Sequence, residues 1–482
     1  MAKKVVIHSE PSLKEAVKRT REPTEIIKSE LNISNRLIQH CQGKKCFIRT
    51  YGCQANVVDS QNILGILEEI GYIPCEDPFE SDFILLNTCA VRENAEDKVF
   101  GEVGALKRIK SINKDAVIAV CGCMIQQPHV VEKLKTTYPQ VDLMFGTHNI
   151  HRLPNLLEEV LFTQKRIIEV FSKEGEVIEH LPIVREDKIK AFVNIQYGCD
   201  KFCTYCIVPY TRGKQRSRTK DDIIRECQEL VEKGYKEITL LGQNVNAYGK
   251  DLYDDYDFAN LLQDVAETKI PRLRFTTSHP WDFSSRMFEV ISKYENIMPF
   301  IHLPLQSGSD SVLRRMGRRY SAETYRSLVD NLKKTIPGVA LSTDIIVGFP
   351  NETDEEFEDT LKMAEYCKYD SAFTFIYSPR IGTPAARIDD KISDEVKHER
   401  FNRLVALINK YGVEKYKQYE GKVVDVLVEG SSKKDSNILT GYTPDMKLVN
   451  FKGNPSNIGQ IIKVKITKGH LYYLAGEEIN EW

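Results

Sequence analysis

Short apolar runs alternate with amphipathic helical patterns along most of this 482-residue chain, which restricts it to the α/β fold class. Continuous apolar strands separated by helices indicate a parallel sheet that helices cover on both faces, and we predict such a domain over residues 44–158. Six further strand–helix units over residues 185–415 are too few for an eight-fold closed barrel, so they predict a partial (βα)6 barrel. Apolar residues at every second position predict a small all-β barrel over residues 418–482.

The remaining segments are polar, and the composition limits the partners of the chain. Residues 1–43 contain no aromatic residue and are predicted to form a polar extension, and residues 159–184 to form a linker. A net charge of −2 excludes a polycation that binds nucleic acid over its whole surface. The chain contains no apolar run of the ~18–20 residues that a membrane span needs and no secretory signal, so we expect a cytoplasmic protein without membrane contact.

The twelve cysteines are informative because cytoplasmic thiols stay reduced. Three of them, Cys199, Cys203 and Cys206, follow the first predicted barrel strand with the spacing C-x3-C-x2-C. Three thiolates in one loop can each bind one iron of a four-iron cluster, which leaves the fourth iron open. A structural zinc site is the alternative, although zinc usually takes four ligands and no nearby histidine or fourth cysteine completes such a set. We call these residues the first cysteine set.

A second cysteine set, Cys53, Cys89 and Cys123, lies at strand ends of the first domain, at intervals of 36 and 34 residues. Because the carboxyl ends of parallel strands open into one crevice, these thiols can converge. Gly52 and Gly122 allow close backbone approach beside them. The pattern predicts a second three-thiolate site, and three ordinary buried thiols are the alternative.

The other cysteines show no such pattern. Cys121 is the rival of Cys123, but it remains within the strand run, where its side chain is predicted to pack. The remaining five are predicted to be packing or surface thiols: Cys41, Cys46, Cys75, Cys227 and Cys367.

The first cysteine set within a six-unit barrel resembles the radical S-adenosylmethionine enzymes. With the second set and the terminal β-barrel, residues 44–482 resemble the methylthiotransferases of that superfamily, in which the small barrel is an RNA-binding TRAM domain. The resemblance implies two 4Fe-4S clusters held by the six cysteines, S-adenosyl-L-methionine, a reducing electron donor of the flavodoxin or ferredoxin kind, and a sulfur donor.

Local sequences most resemble the branch of that family that modifies dimethylallyl-adenosine in tRNA. The implied reaction installs a methylthio group at adenine C2 of N6-dimethylallyladenosine in the anticodon stem-loop. Two positions depart from the family pattern: Ala55 stands where methionine is usual, and Asn351 where glycine is usual. The matching stretches begin at Thr50, Asn87, His302, Val428 and Leu439.

Further site residues rest on position and on the resemblance. Residues in or after predicted barrel strands are expected to contact the cofactor: Gly242, Gln243, Asn244, Gln306, Ser307 and Asp344. Ordinary turn hydrogen bonds are their alternative role. Basic residues after the first cysteine set and in the terminal barrel are expected to contact RNA phosphates, although charge runs are usually solvated faces: Arg212, Lys214, Arg216, Arg218, Lys433 and Lys434.

Two other functions remain open at the level of the sequence. A methylthiotransferase that acts on threonylcarbamoyl-adenosine or on a ribosomal-protein aspartate would share both cysteine sets. A non-catalytic RNA-binding protein with structural iron–sulfur clusters would bind RNA normally but would not cleave S-adenosylmethionine.

Overall fold

A computed structural model describes residues 14, 17–18, 20, 23–29, 31–90, 93–170, 176–432 and 435–479. The chain divides into two units by its internal contacts. The first unit spans residues 1–186, 194–222 and 380–386, and the second spans residues 187–193, 223–379 and 387–482. Among the described residues, no helix has both the length and the apolar character needed to cross a membrane.

The first unit is built on one parallel sheet of six strands. Alternate residues of its central strands enter two separate apolar cores, with Leu85 and Ala119 in one and Leu86 and Val120 in the other. Helices therefore cover both faces, as the continuous apolar strands predict. The strands lie in the order Ile73–Pro74, Lys45–Thr50, Phe83–Thr88, Val117–Gly122, Leu143–Phe145 and Ile167–Glu169.

Helices and short strand pairs complete the first unit. A parallel pair joins Glu25–Lys28 to Glu176–Glu179, and an antiparallel pair joins Gln196–Tyr197 to Arg216–Ser217. The α-helices are Asn35–Cys41, Gln54–Ile70, Glu93–Leu106, Ile109–Ile112, Pro128–Thr137, Leu153–Thr163 and Val208–Thr211.

Two expectations about the polar segments are wrong in part. Leu37 and Cys41 are fully buried in a sheet core, so that core begins before residue 44. The predicted linker of residues 159–184 contains the sheet's edge strand, Ile167–Glu169, and the paired strand Glu176–Glu179. In the predicted linker the buried apolar residues, among them Val160, Val170 and Val177, are widely spaced and show no period.

The six strands predicted for the partial barrel are all present. They hydrogen-bond in chain order as two parallel three-stranded sheets. The first contains Lys190–Asn194, Glu237–Leu241 and Arg272–Phe275, and the second contains Phe300–His302, Ala340–Val347 and Ser371–Ile376. Apart from a single bridge between Leu273 and Ile297, the described ladder is interrupted between the two sheets. The accompanying α-helices are Lys220–Glu232, Phe258–Glu267, Ser285–Lys293, Asp310–Arg315, Ala322–Thr335, Asp354–Cys367 and Asp394–Lys417.

Helix starts in the second unit follow local capping chemistry. Thr353 precedes the helix Asp354–Cys367, and its hydroxyl accepts from the Glu356 amide over 3.2 Å. The Glu356 carboxylate in turn accepts from the Thr353 amide over 2.9 Å. This reciprocal pair satisfies two amides that a helix start leaves without partners in the helix.

The C-terminal segment is the closed all-β barrel that the period-two pattern predicts. Its interior is apolar and includes Val426, Val449, Phe451 and Val464. Five strands close it in the order Val423–Ser431, Ile438–Tyr442, Leu448–Lys452, Leu474–Glu478 and Ile461–Gly469.

Candidate metal centres

The second cysteine set converges at the carboxyl end of the parallel sheet. Cys53 precedes the helix Gln54–Ile70, and Cys89 and Cys123 follow the strands Phe83–Thr88 and Val117–Gly122. A methyl group on Gly52 would lie 2.6 Å from Cys89 Cβ and 3.0 Å from its Sγ, so only glycine allows this approach. The expected convergence of strand ends is therefore present in the structure.

Asn56 joins two members of that set. Its side-chain oxygen lies 3.8 Å from Cys53 Sγ and 3.9 Å from Cys123 Sγ. Its amide nitrogen donates to the Tyr51 and Thr88 carbonyls over 2.9 Å each, which fixes the side chain. Cys53 lies at the amino end of a 17-residue helix, where the helix dipole favours a negatively charged ligand.

The electrostatics of Cys123 reflect its neighbours. Burial, together with the nearby thiols Cys89 and Cys53, raises the pKa of the Cys123 thiol to about 12, against the opposing effect of Arg212. Arg212 donates from Nε to Cys123 Sγ over 3.2 Å. Three adjacent thiols that resist simultaneous ionisation are a set of donors that bound cations would neutralise.

The first cysteine set lies in a loop held by backbone contacts. The Cys199 amide donates to the Gly213 carbonyl over 3.1 Å, and the Cys206 amide to the Cys203 carbonyl over 3.0 Å. Phe202, inside the C-x3-C spacing, has a φ of 49°, which turns the chain tightly between the two cysteines. Burial raises the pKa of the Cys199 thiol, and the adjacent Cys203 and Cys206 raise it further.

The spacing of the sulfur atoms separates a cluster from a single ion. In neither set do all three sulfurs lie within 4.8 Å of one another. Thiolate ligands of one zinc ion lie closer, because each is about 2.3 Å from the metal. A cluster in which each thiolate binds a separate iron does not require the sulfurs to lie that close.

The two sets are neighbours within the first unit. Ile207, the residue after Cys206, packs in a small apolar cluster with Cys123 and Ala90. The helix Val208–Thr211 follows at once and lies against the 3-10 turn that begins at Cys123. One continuous segment therefore connects the first set to the second.

Comparisons with known proteins identify three domains in the chain and the family of the whole. Family models match residues 45–146 (uncharacterized protein family UPF0004), 193–364 (radical SAM superfamily) and 417–479 (TRAM domain). The tRNA-2-methylthio-N(6)-dimethylallyladenosine synthase of Anoxybacillus flavithermus is 55% identical over 472 residues, covering 98% of this chain and 89% of that protein. The protein of the same name from Staphylococcus epidermidis is 53% identical over 476 residues, with 98% and 92% covered. The chain belongs to the tRNA-2-methylthio-N(6)-dimethylallyladenosine synthase family.

A solved structure supports the fold of this synthase-family chain. The radical S-adenosylmethionine methyltransferase TsrM from Kitasatospora setae, with cobalamin and a [4Fe-4S] cluster bound, superimposes with a TM-score of 0.53 at 12% identity. The match covers 72% of this chain and 74% of TsrM. At that identity the likeness establishes the fold alone, and the radical SAM family match is what implies a 4Fe-4S cluster and S-adenosylmethionine.

The predicted cofactor residues all lie in the second unit, in different environments. Gly242, Gln243 and Asn244 follow the strand Glu237–Leu241, as expected. The Asn244 amide donates to Asp282 over 2.7 Å. Asp344 Oδ2 lies 3.3 Å from His302 Nε2, and both side chains are only partly buried.

Gln306 and Ser307 differ although they are adjacent. Gln306 has a φ of 69°, and no donor among the described residues reaches its buried Oε1 atom. A buried acceptor in that state fits a hydrogen-bond donor from a bound cofactor. The fully buried Ser307 hydroxyl pairs with Thr360 Oγ1 over 3.2 Å and accepts from the Ser309 amide over 3.2 Å, which are the ordinary hydrogen bonds of its alternative role.

The basic stretch after the first cysteine set does not face solvent. At most 8% of each of its four residues is exposed, so in this structure they do not form the solvated face that a contact with RNA phosphates would use: Arg212, Lys214, Arg216 and Arg218. Arg216 donates to the Glu176 carbonyl over 3.1 Å, and Arg218 donates to Asp222. Lys433 and Lys434 lie outside the described residues.

The sequence did not predict Asn56 and Asp59 as site residues, nor the contact of Arg212 with both. A signal was present, because Asn56 and Asp59 follow Cys53 at helical spacing. Both are almost fully buried on the helix Gln54–Ile70, where polar residues are expected outside. Buried polar residues beside a ligand cysteine indicate groups that orient the ligand.

Proposed function

We propose that this protein transfers a methylthio group to adenine C2 of N6-dimethylallyladenosine in the anticodon stem-loop of tRNA. The observation that carries the proposal is the pair of three-cysteine sets joined by the segment from Cys206 to Arg212 in one unit. A single set would serve radical chemistry only, whereas a second set offers a separate place for sulfur. Membership of the synthase family supplies the substrate.

In this proposal the two sets have separate roles. The first, Cys199, Cys203 and Cys206, holds the cluster that binds S-adenosylmethionine. The second, Cys53, Cys89 and Cys123, holds an auxiliary cluster. When bound, these groups supply the one-electron cleavage of S-adenosylmethionine and the sulfur to be transferred. Radical chemistry is needed because adenine C2–H is neither acidic nor electrophilic enough for acid–base catalysis. An electron donor of the flavodoxin or ferredoxin kind and a sulfur donor complete the requirements, and we place the reaction in the cytoplasm.

Polar residues of the partial barrel would bind the organic part of the cofactor. Gln306 offers a buried acceptor, Asn244 a polar group just after the strand Glu237–Leu241, and Asp344 one within the strand Ala340–Val347. Ser342 Oγ lies 2.8 Å from His302 Nδ1 and orients that ring. The other ring nitrogen, Nε2, lies 3.3 Å from Asp344 Oδ2 and holds the carboxylate in place.

The TRAM domain would supply RNA contacts in place of the buried basic stretch. Lys463 and Lys465 alternate with the buried Val464 on the strand Ile461–Gly469, so both project outward with the exposed Lys468. Outward lysines on one strand attract a phosphate backbone without reading its sequence. Target choice would then fall to the base that enters the radical site.

The test is a nucleoside assay on reconstituted protein under anaerobic conditions with dithionite, sulfide and S-adenosylmethionine. The proposal predicts a methylthio mass gain on tRNA that carries dimethylallyl-adenosine, and none on the same tRNA without that group. The Cys203→Ala, Cys206→Ala double variant should lose the product and all 5′-deoxyadenosine, and Cys75→Ala should lose neither.

Two results would overturn the proposal. Product on threonylcarbamoyl-adenosine tRNA or on a ribosomal-protein aspartate, with none on dimethylallyl-adenosine, would assign the other methylthiotransferase activity. Normal RNA affinity without cleavage of S-adenosylmethionine would assign a non-catalytic RNA-binding protein.

A further inference from the structure

Arg212 is a buried cation at the point where the two cysteine sets meet. Its side chain is 5% exposed. It donates from Nη2 to Asp59 Oδ2 over 2.6 Å and to Asn56 Oδ1 over 2.8 Å, and from Nε to Cys123 Sγ over 3.2 Å. One side chain therefore contacts a sulfur of the second cysteine set and the asparagine that lies beside two of its sulfurs.

Charge balance alone does not explain this geometry. Burying a guanidinium is costly, and Asp59, itself 6% exposed, already neutralises it. A structural ion pair would need no contact with sulfur, yet one of the donors is directed at Cys123 Sγ. Hydrogen bonds to ligand sulfurs are among the features that set the reduction potential of a cluster. Arg212 thus has the position of a residue that tunes a cluster as well as one that holds the fold.

The place of Arg212 in the chain adds a mechanical role. It lies six residues after Cys206, directly after the helix Val208–Thr211. Arg216 donates to the Arg212 carbonyl over 2.9 Å, which fixes the end of that helix. Any displacement of the loop of the first set would reach Cys123 through this short segment.

We propose that Arg212 is a positioning residue that fixes Cys123 and Asn56 relative to the first cysteine set and offsets the negative charge of the auxiliary centre. This inference rests on the auxiliary cluster of the proposed function. The negative charge of three thiolates exceeds the positive charge of an oxidised four-iron core, and an added electron increases this excess of negative charge. A buried cation that donates to a ligand sulfur therefore favours the reduced state.

The experiment isolates the auxiliary cluster in a parent protein that carries Cys199→Ala, Cys203→Ala and Cys206→Ala. To this parent are added Asp59→Asn, the pair Asp59→Asn with Arg212→Gln, and Arg212→Lys. The double change leaves no unpaired buried charge, so it separates tuning from unfolding. Arg225→Gln, at an arginine whose side chain is 46% exposed, is the matched control. Iron content, near-ultraviolet circular dichroism and the midpoint potential are measured for each protein.

The proposal predicts about four irons in the parent. It predicts a raised midpoint potential in Asp59→Asn, where the guanidinium is no longer offset, and a lower one when Arg212→Gln is added. Arg212→Lys should shift the midpoint potential from the parent value by less than the loss of the charge does, and Arg225→Gln should not shift it. Iron loss from the double variant with an unchanged near-ultraviolet spectrum would also support the positioning role.

Three results would overturn the proposal. Equal potentials in all proteins at full iron content would leave Arg212 a structural residue and leave the proposed function intact. Loss of tertiary structure in the double variant would have the same meaning. A parent without iron would remove the auxiliary cluster, and with it both this inference and the sulfur-transfer step of the proposed function.

Discussion

Lys447 of the C-terminal barrel donates to Asp370 over 2.7 Å, and the two side chains are 3% and 7% exposed. Asp370 precedes the last strand of the partial barrel and also accepts from the Leu341 amide over 2.9 Å. Lys447 has a second acidic neighbour, Asp445, at 3.3 Å. A buried cation thus links the TRAM domain to the barrel within the second unit.

Removing this lysine should destabilise the protein strongly. Lys447→Met removes this cation from Asp370 and Asp445 and leaves Asp370 only the more distant Lys415, at 3.8 Å, which costs about 3–5 kcal/mol. Lys463→Met is the matched control, because its pair with Asp425 at 3.5 Å is half exposed and is worth about 0–1 kcal/mol. Urea titration of both variants provides the comparison. Equal losses of unfolding free energy would show that burial does not determine the strength of these pairs.

The same pair gives a pH dependence with a definite sign. Burial lowers the pKa of Lys447, but attraction by Asp370 and Asp445 outweighs it, so the net pKa is raised. A raised lysine pKa means that stabilisation is complete below the ordinary lysine pKa and is lost as pH rises through the higher folded value. The stability difference between wild type and Lys447→Met should therefore be constant from pH 7 to pH 9 and should shrink in stronger alkali. A difference that already shrinks between pH 7 and pH 9 would contradict this assignment.

Asn351, which stands where the family pattern has glycine, adopts a left-handed backbone conformation. Its φ is 60°, a region that asparagine tolerates better than other residues with a side chain. Its amide donates to the Asp389 carbonyl over 2.9 Å, and its oxygen accepts from the Lys391 amide over 3.3 Å. Asn351→Val should be less stable than Asn351→Gly by about 1–2 kcal/mol, because both lose these bonds but only valine is strained. Thermal unfolding of the two variants measures this difference in stability, and equal unfolding temperatures would exclude strain at this turn.

The contrast between Gln306 and Ser307 predicts opposite effects of neighbouring substitutions. Gln306→Leu should weaken S-adenosylmethionine binding by about tenfold, the equivalent of about 1.4 kcal/mol for one lost hydrogen bond. Ser307→Ala should change affinity less than about twofold and instead lower thermal stability, because it loses its bond to Thr360. Equilibrium dialysis with labelled cofactor measures both. Weaker binding in Ser307→Ala alone would reverse the assignment.

Thiol alkylation should distinguish the exposed Cys53 from the packing cysteines. Burial raises the pKa of the Cys46 thiol to about 12 and that of Cys367 to about 11, so the reactive thiolate appears only as pH rises towards those values. At pH 8 iodoacetamide should spare both, and should modify the exposed Cys53 of the metal-free protein. Reconstitution should protect Cys53 but not the half-buried Cys75, as read by peptide mass spectrometry. Protection of Cys75 together with Cys53 would indicate a general change of exposure instead of ligation.

The sequence predicts the strands and both cysteine sets because those features depend on local patterns. Cys53, Cys89 and Cys123 converge because parallel strand ends share one edge, which spacing alone reveals. Cys121 packs in the sheet core, as its place within a strand predicts.

The roles of the basic residues could not be predicted, because their partners are distant in sequence. Arg212 and Asp59 are 153 residues apart, and an arginine run without visible acceptors is typical of a solvated face. Leu37 was missed for a related reason, since its burial depends on a sheet that begins after it.

The most direct test of the account is the iron and sulfide content of wild type and of two triple variants after anaerobic reconstitution. One variant replaces Cys199, Cys203 and Cys206 with alanine, and the other replaces the second cysteine set. Two independent four-iron clusters predict about eight irons in wild type and about four in each variant. About four irons in wild type, none without the first set and an unchanged content without the second would contradict an auxiliary cluster and leave sulfur transfer without a site.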